Sequence, residues 1–222
     1  MRTLEERRRR LEEARLFFVC EARPRGDDPA PLLRAALEGG ADMLELREKS
    51  NRDDAWLIDA ARPFREAREG HGALFIVNDR PDLVEGCGAD GVHVGQDDIP
   101  VTEARRALPP DALLGLSTHS REQIEAAQEL GQDGPDYISV GPIWETPTKQ
   151  GRPATGLALI DTAARIARLP WFAIGGIDTE NIGDVVAAGA RRVVVVRAIR
   201  DAADPEAASR SLREALDSAV VA

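Results

Sequence analysis

The stretch LFFVCEARPRGDDP, residues 16–29, decides between two architectures. Its apolar start, 16–19, reads as a buried strand. Next comes EARPRGDDP, a loop of charged residues and prolines with a single glycine. An open doubly wound sheet that binds a dinucleotide carries G-x-G-x-x-G at this turn, where backbone N–H groups cradle phosphate. Its absence here favours a closed barrel.

Seven further apolar runs follow: MLEL (43–46), LFIV (74–77), GVHV (91–94), LLGLS (113–117), YISV (137–140), WFAI (171–174) and VVVV (193–196). Each is short and rich in Val, Ile, Leu or aromatic residues, as parallel strands covered on both faces tend to be. Helix signals separate them. Ser120 with Gln123 forms a capping box, Ile124, Ala127 and Leu130 share a face, and Gly131 ends the helix. Asp178 precedes Ile182, Val185 and Val186 on one face, closing at Gly189. Asp204–Pro205 is an N-cap with Pro at the first helical position. Pro63 breaks or kinks the second helical segment. Eight strand–helix units predict an α/β fold, a single (β/α)8 TIM barrel spanning 1–222, with an extra helix in residues 1–15.

Composition narrows the function classes. The formal net charge is −10, which argues against nucleic acid as a partner. No apolar run approaches the roughly 20 residues that span a bilayer, and the N-terminus lacks a signal-peptide core, so a cytoplasmic chain without a membrane partner is expected. Arg7 to Arg10 alternate with Glu5, Glu6, Glu12 and Glu13, which reads as a solvated helix face. Cys20 and Cys87 are expected reduced and buried.

In a barrel of this kind chemistry gathers at the C-terminal strand ends. There the sequence offers Glu45, Arg47 and Lys49, then Asn78 and Asp79, then Gln96, Asp97 and Asp98. Ser117 with His119, the segment GPIWETPTKQG (141–151), Gly175–Gly176 and Arg197 come after them. Asp79 and Asp98 are expected to hold Mg²⁺, which takes one or two carboxylates and fills its other positions with water and phosphate oxygens. Asp97 competes with Asp98, and Asp79 reads equally as a cap for the next helix. Among 29 basic residues Lys49 and Lys149 are the two lysines, and both fall in strand-end loops. Lys is a compact point charge, so with the forked guanidinium of Arg47 these residues fit a multiply charged anion such as a metal-bridged diphosphate. His93, inside an apolar strand, reads as a satisfied core histidine. Trp144 either walls a pocket or packs beneath the loop.

Seven pieces in order resemble the thiamine phosphate synthase family: LREK (46–49), IVNDR (76–80), DGVHVGQDD (90–98), GLSTHS (115–120), GPIWETPTK (141–149), AIGGI (173–177) and VVVVRAI (193–199). The resemblance implies a compact (β/α)8 enzyme that joins a hydroxymethylpyrimidine diphosphate to a thiazole phosphate and releases diphosphate. It implies that the C–O bond to diphosphate breaks first and that the thiazole nitrogen captures the pyrimidine methyl cation. By the same resemblance Asp79 and Asp98 are the Mg²⁺ ligands. Arg47, Lys49, Asn78, Lys149 and Ser117 are diphosphate and pyrimidine contacts, with Glu45, Leu46 and Glu48 in the same stretch. Thr146, Pro147, Thr148, Gly176, Val196 and Arg197 form the thiazole phosphate site. Arg47, Lys49, Lys149 and Ser117 are the expected catalytic group. Two positions depart from the family pattern, Glu45 for the usual Gln and Arg197 for the usual Ser. A homo-oligomer is compatible with this reading. The rivals are a thiazole tautomerase-type isomerase, for which His119 would be the acid/base residue, and a non-catalytic sensor of phosphate ligands.

Overall fold

The computed structural model describes residues 2–146 and 153–218. Eight parallel strands close into a barrel in sequence order: β1 (Leu16–Cys20), β2 (Met43–Leu46), β3 (Leu74–Asn78), β4 (Gly91–Val94), β5 (Leu113–Thr118), β6 (Tyr137–Val140), β7 (Trp171–Ile174) and β8 (Val193–Val195). β8 pairs with β1 through Leu16 opposite Val193, which leaves no open edge. The helices are α1 (Leu4–Glu13), α2 (Ala30–Glu38), α3 (Asp54–Ala60), α4 (Arg62–His71), α5 (Val84–Cys87), α6 (Val101–Ala107), α7 (Arg121–Glu129), α8 (Leu157–Ile166), α9 (Ile182–Ala187), α10 (Arg197–Arg200) and α11 (Pro205–Ser218). The helical segment around Pro63 is indeed interrupted, at Ala61, and Pro63 enters the first turn of α4 where it sacrifices no helical bond. Ser120 accepts from Gln123 N as expected, but the Gln123 side chain closes on His119 N rather than on Ser120.

Strand alternation divides the core in two. Outward residues such as Phe18, Leu44, Phe75, Val92 and Ile138 pack under the helices. Inward residues form a second cluster within the barrel, with Phe17, Met43, Leu74, Leu113, Tyr137 and Phe172. The inward set changes character along the barrel axis. It is apolar at the N-terminal end and becomes Glu45, Asn78, His93, Ser117 and Ser139 at the C-terminal end. That change places the site.

The N-terminal end is covered by α1. Thr3 and Glu6 make a reciprocal capping box, with Glu6 N donating to Thr3 Oγ1 at 3.2 Å and Thr3 N to Glu6 Oε2 at 2.7 Å. One turn apart, Arg7 and Leu11 face the barrel and are buried. The expected solvated arginine face is therefore corrected at Arg7, which is buried, while Arg8 and Arg9 are exposed as expected. Arg7 Nε donates to Asp90 Oδ1 at 3.1 Å, Arg8 reaches Asp136 at 2.9 Å, and Arg10 binds the Gly72 carbonyl. Reach explains this, because a long aliphatic stem lies on apolar surface while its guanidinium finds an acid beyond.

Those acids belong to a repeated device. Asp42, Asp90 and Asp136 each stand one residue before an even-numbered strand. Each accepts from a backbone N–H at the start of the preceding strand: Leu16 at 3.0 Å, Phe75 at 3.0 Å and Leu114 at 2.9 Å. Each is also held by arginine: Arg213 on Asp42, Arg2, Arg7 and Arg68 on Asp90, and Arg8 and Arg105 on Asp136. Both cysteines are free and buried, and burial pushes the Cys20 thiol up to about 12 and Cys87 to about 11. Among the described residues no helix is long and apolar enough to cross a membrane.

Candidate active site

The polar inward layer opens at the C-terminal end into a cavity of about 340 Å³. That volume suits small molecules, not a macromolecular segment. Its wall includes Glu45, Arg47, Lys49, Asn78, Asp79, Asp98, Ser117, Thr146, Gly176, Val196 and Arg197, so residues from widely separated parts of the chain share one chamber. Leu46 is different: it points outward and is buried beneath the helices. Glu48 turns back on its own loop, accepting from Ser50 N at 2.9 Å and Ser50 Oγ at 2.7 Å. Neither side chain joins the cavity wall. Pro147, Thr148 and Lys149 lie outside the described residues.

The rim between β3 and β4 is the charged part. Asp79 adopts a left-handed backbone, φ 61°, which Asp tolerates better than most residues, and its N–H donates to His93 O at 2.9 Å. Its side chain pairs with Lys49 and does not cap the turn after it. Asp98 is oriented by Gly95 N, which donates to Oδ2 at 2.8 Å. Burial pushes the Asp79 carboxyl above its ordinary range, Lys49 pulls it down, and hydrogen bonding and repulsion from Asp98 raise it again. The two carboxylates thus crowd one spot. Both Asp97 and Asp98 are exposed, and of the two Asp98 lines the cavity. A pair of oxygen donors under mutual repulsion suits a hard divalent cation, which would relieve that repulsion while leaving coordination positions for other oxygens. Among the described residues no set of three or more His, Cys, Asp or Glu gathers around it.

Across the mouth, Gly175 and Gly176 come directly after β7. Gly176 has φ 71°, and a Cβ there would lie 2.7 Å from Trp144 Cβ, so the loop after β6 can pass this closely only over glycine. That loop is tied at its stems. Ile143 N and Trp144 N donate to Ile174 O and Gly175 O at 2.9 and 3.0 Å, and Thr155 N returns to Pro142 O at 2.8 Å. Trp144 is half-buried against the outer core and is not part of the cavity wall. His119 contributes to the same anchorage, its Nδ1 bonded to the Gly141 carbonyl, and it is not part of the cavity wall.

From sequence His93 belongs to the core, and the structure makes it both core and site. It is buried, bonded to Ser117 and Tyr137, and still lines the cavity floor. Phe17, Val19, Ser139, Ile174 and Val194 also line that floor and were missed. The available signal was alternation: every second residue of these strands faces inward, so His93 shares a side with Gly91 and not with Val92.

The likeness to known proteins agrees with this geometry. The sequence profile of the thiamine monophosphate synthase family matches residues 16–199. A thiamine-phosphate synthase of Thermobifida fusca is 48% identical over 221 residues, covering 97% of this chain and 98% of that protein. One from Mycobacterium tuberculosis is 45% identical over 223 residues, covering 95% and 98%. The solved structure of thiamine phosphate pyrophosphorylase from Pyrococcus furiosus superposes with TM-score 0.82 at 28% identity, covering 96% of this chain and 98% of that one. A 3-hexulose-6-phosphate synthase from Salmonella typhimurium, at 17% identity and TM-score 0.67 over 92% and 99%, shares the fold alone. With the profile spanning the barrel from β1 to α10, and relatives matched almost end to end, this chain belongs to the thiamine monophosphate synthase family.

Proposed function

We propose that this chain joins a hydroxymethylpyrimidine diphosphate to a thiazole phosphate, yielding thiamine phosphate and diphosphate. The observation that carries the reading is the rim in which Asp79 and Asp98 stand beside Arg47 and Lys49 above a narrow, partly apolar shaft. A diphosphate bound there presents its charge to two cations, while the pyrimidine it carries enters the shaft. Asp79 and Asp98 would hold Mg²⁺, which when bound supplies charge neutralisation for the diphosphate oxygens. The C–O bond to diphosphate breaks with its electron pair leaving on the phosphate, and the thiazole nitrogen forms the new C–N bond. Arg47 and Lys49 stabilise the departing anion, and the apolar lining of Phe17, Val19 and Ile174 keeps water from the cationic carbon. Gly175, Gly176, Thr146, Val196 and Arg197 face the same chamber and would receive the thiazole phosphate, Arg197 adding a charge-assisted contact. No protein nucleophile is required.

The isomerase reading takes His119 as its acid/base residue, and His119 is instead engaged with the Gly141 carbonyl outside the cavity wall. The sensor reading differs by turnover. Purified protein given both phosphorylated halves and Mg²⁺ is expected to release thiamine phosphate and diphosphate in equal amounts, and to stop in excess chelator. Binding without turnover supports the sensor. Full activity in chelator removes the metal from the mechanism.

A further inference from the structure

Three carbonyl groups in succession, those of Ile174, Gly175 and Gly176, are tied down at the end of β7. Ile143 N donates to the first at 2.9 Å, Trp144 N to the second at 3.0 Å and Asn181 Nδ2 to the third at 2.8 Å. The first two ties come from main chain and the third from a side chain. In a trans peptide the carbonyl and the N–H that follows it point opposite ways, so each tie also aims the next N–H. Those N–H groups belong to Gly175, Gly176 and Ile177, and among the described residues none of them has a hydrogen-bond partner. All three residues line the chamber, whereas Ile143, Trp144 and Asn181 do not.

The Asn181 amide is fixed by chemistry at both ends. Its Oδ1 accepts from Asp178 N at 3.0 Å, and a main-chain N–H can only donate. Its Nδ2 meets the Gly176 carbonyl, which can only accept. Asp178 Oδ1 in turn accepts from Glu180 N at 2.9 Å and Asn181 N at 3.1 Å, which holds the turn that carries Asn181. One side chain thus spans Gly176 to Asp178, with Ile177 between.

We infer that Asn181 is a positioning residue: by holding the Gly176 carbonyl it aims the Ile177 N–H at the phosphate of the thiazole substrate. This deepens the proposed reaction and rests on it. Ile177 would supply a main-chain donor beside Gly176, in place before substrate arrives. That phosphate is remote from the nitrogen that forms the new bond and leaves the reaction unchanged. The contact is therefore equally strong in the ground and transition states, and its loss falls on KM and not on kcat.

Asn181→Asp keeps an acceptor for Asp178 N and loses the donor to the Gly176 carbonyl. Asn181→Ala loses both and adds no charge. With the pyrimidine diphosphate saturating, both variants are expected to raise KM for the thiazole phosphate about tenfold, the worth of one hydrogen bond to a charged group. In both, kcat and KM for the pyrimidine diphosphate are expected to stay within about twofold of wild type. An unchanged KM for the thiazole phosphate, an equal rise for the two substrates, or a rise confined to Asn181→Asp, which would be an effect of its charge, overturns the inference. Amide-proton NMR of the wild-type protein, titrated with the thiazole phosphate, needs no variant to fold. A saturable downfield shift of the Ile177 amide proton supports the contact, and an Ile177 amide that stays in place sinks it. Wild-type protein that shows this shift but makes no thiamine phosphate would count against the proposed reaction instead.

Discussion

Asp79 bears the conflict of the site. Its carboxylate is half-buried, beside Asp98, on a left-handed backbone. Its proton affinity in the fold exceeds the ordinary value of 3.8, so ionisation costs the metal-free protein stability. Below that value both folded and unfolded chains hold the proton, and the cost is absent; it develops as pH rises through the folded-state value. Asp79→Asn, measured by thermal melting with chelator present, should therefore melt higher than wild type at neutral pH. The gap should close on acidification toward 3.8, and synthase activity should be lost. A lower melting point at neutral pH would contradict this. Lys49 makes the opposite case. It is half-exposed, so Lys49→Ala should change stability by less than about 1 kcal/mol. The same change should lower kcat/KM about a hundredfold or more if the lysine meets the departing charge. These residues were legible because lysine is scarce and carboxylates stood after adjacent strands. His93 and Ser139 were not, because a side chain's depth along the barrel axis depends on the stagger of eight strands, which no local pattern records.

Elements were legible in type and nearly in extent. The apolar runs are the strands, with β1, β3 and β5 each one residue longer and β8 one shorter than the runs. What local pattern missed was how elements are fastened. Arg7 looked like one of four surface arginines, and nothing adjacent in the chain marks Asp90 as its partner across 83 positions. Asp90 is fully buried and satisfied by three arginines and a backbone N–H. Asp90→Ala would strand those charges and should cost about 3–5 kcal/mol in a denaturant titration, since breaking a buried ion pair is far worse than lacking one. A loss below about 1 kcal/mol would mean that the guanidinium groups find water instead.

At the scale of the whole molecule, closure was legible from the count of strand–helix units and the missing phosphate-binding turn. The internal gradient was not. The barrel is dry at one end, where Phe17, Met43, Leu74 and Phe172 meet under α1, and functional at the other. Only assembly of all strands creates that axis, so a single strand carries residues of both kinds, as β2 does with Met43 and Glu45.

The helix across the N-terminal end has a kinetic corollary. A vessel stoppered at its base must be emptied through the same neck by which it is filled, so spent diphosphate and incoming pyrimidine diphosphate contend for one passage. Added diphosphate should accordingly raise the apparent KM for the pyrimidine diphosphate and leave kcat untouched in steady-state assays. A fall in kcat at unchanged KM would point to a separate exit.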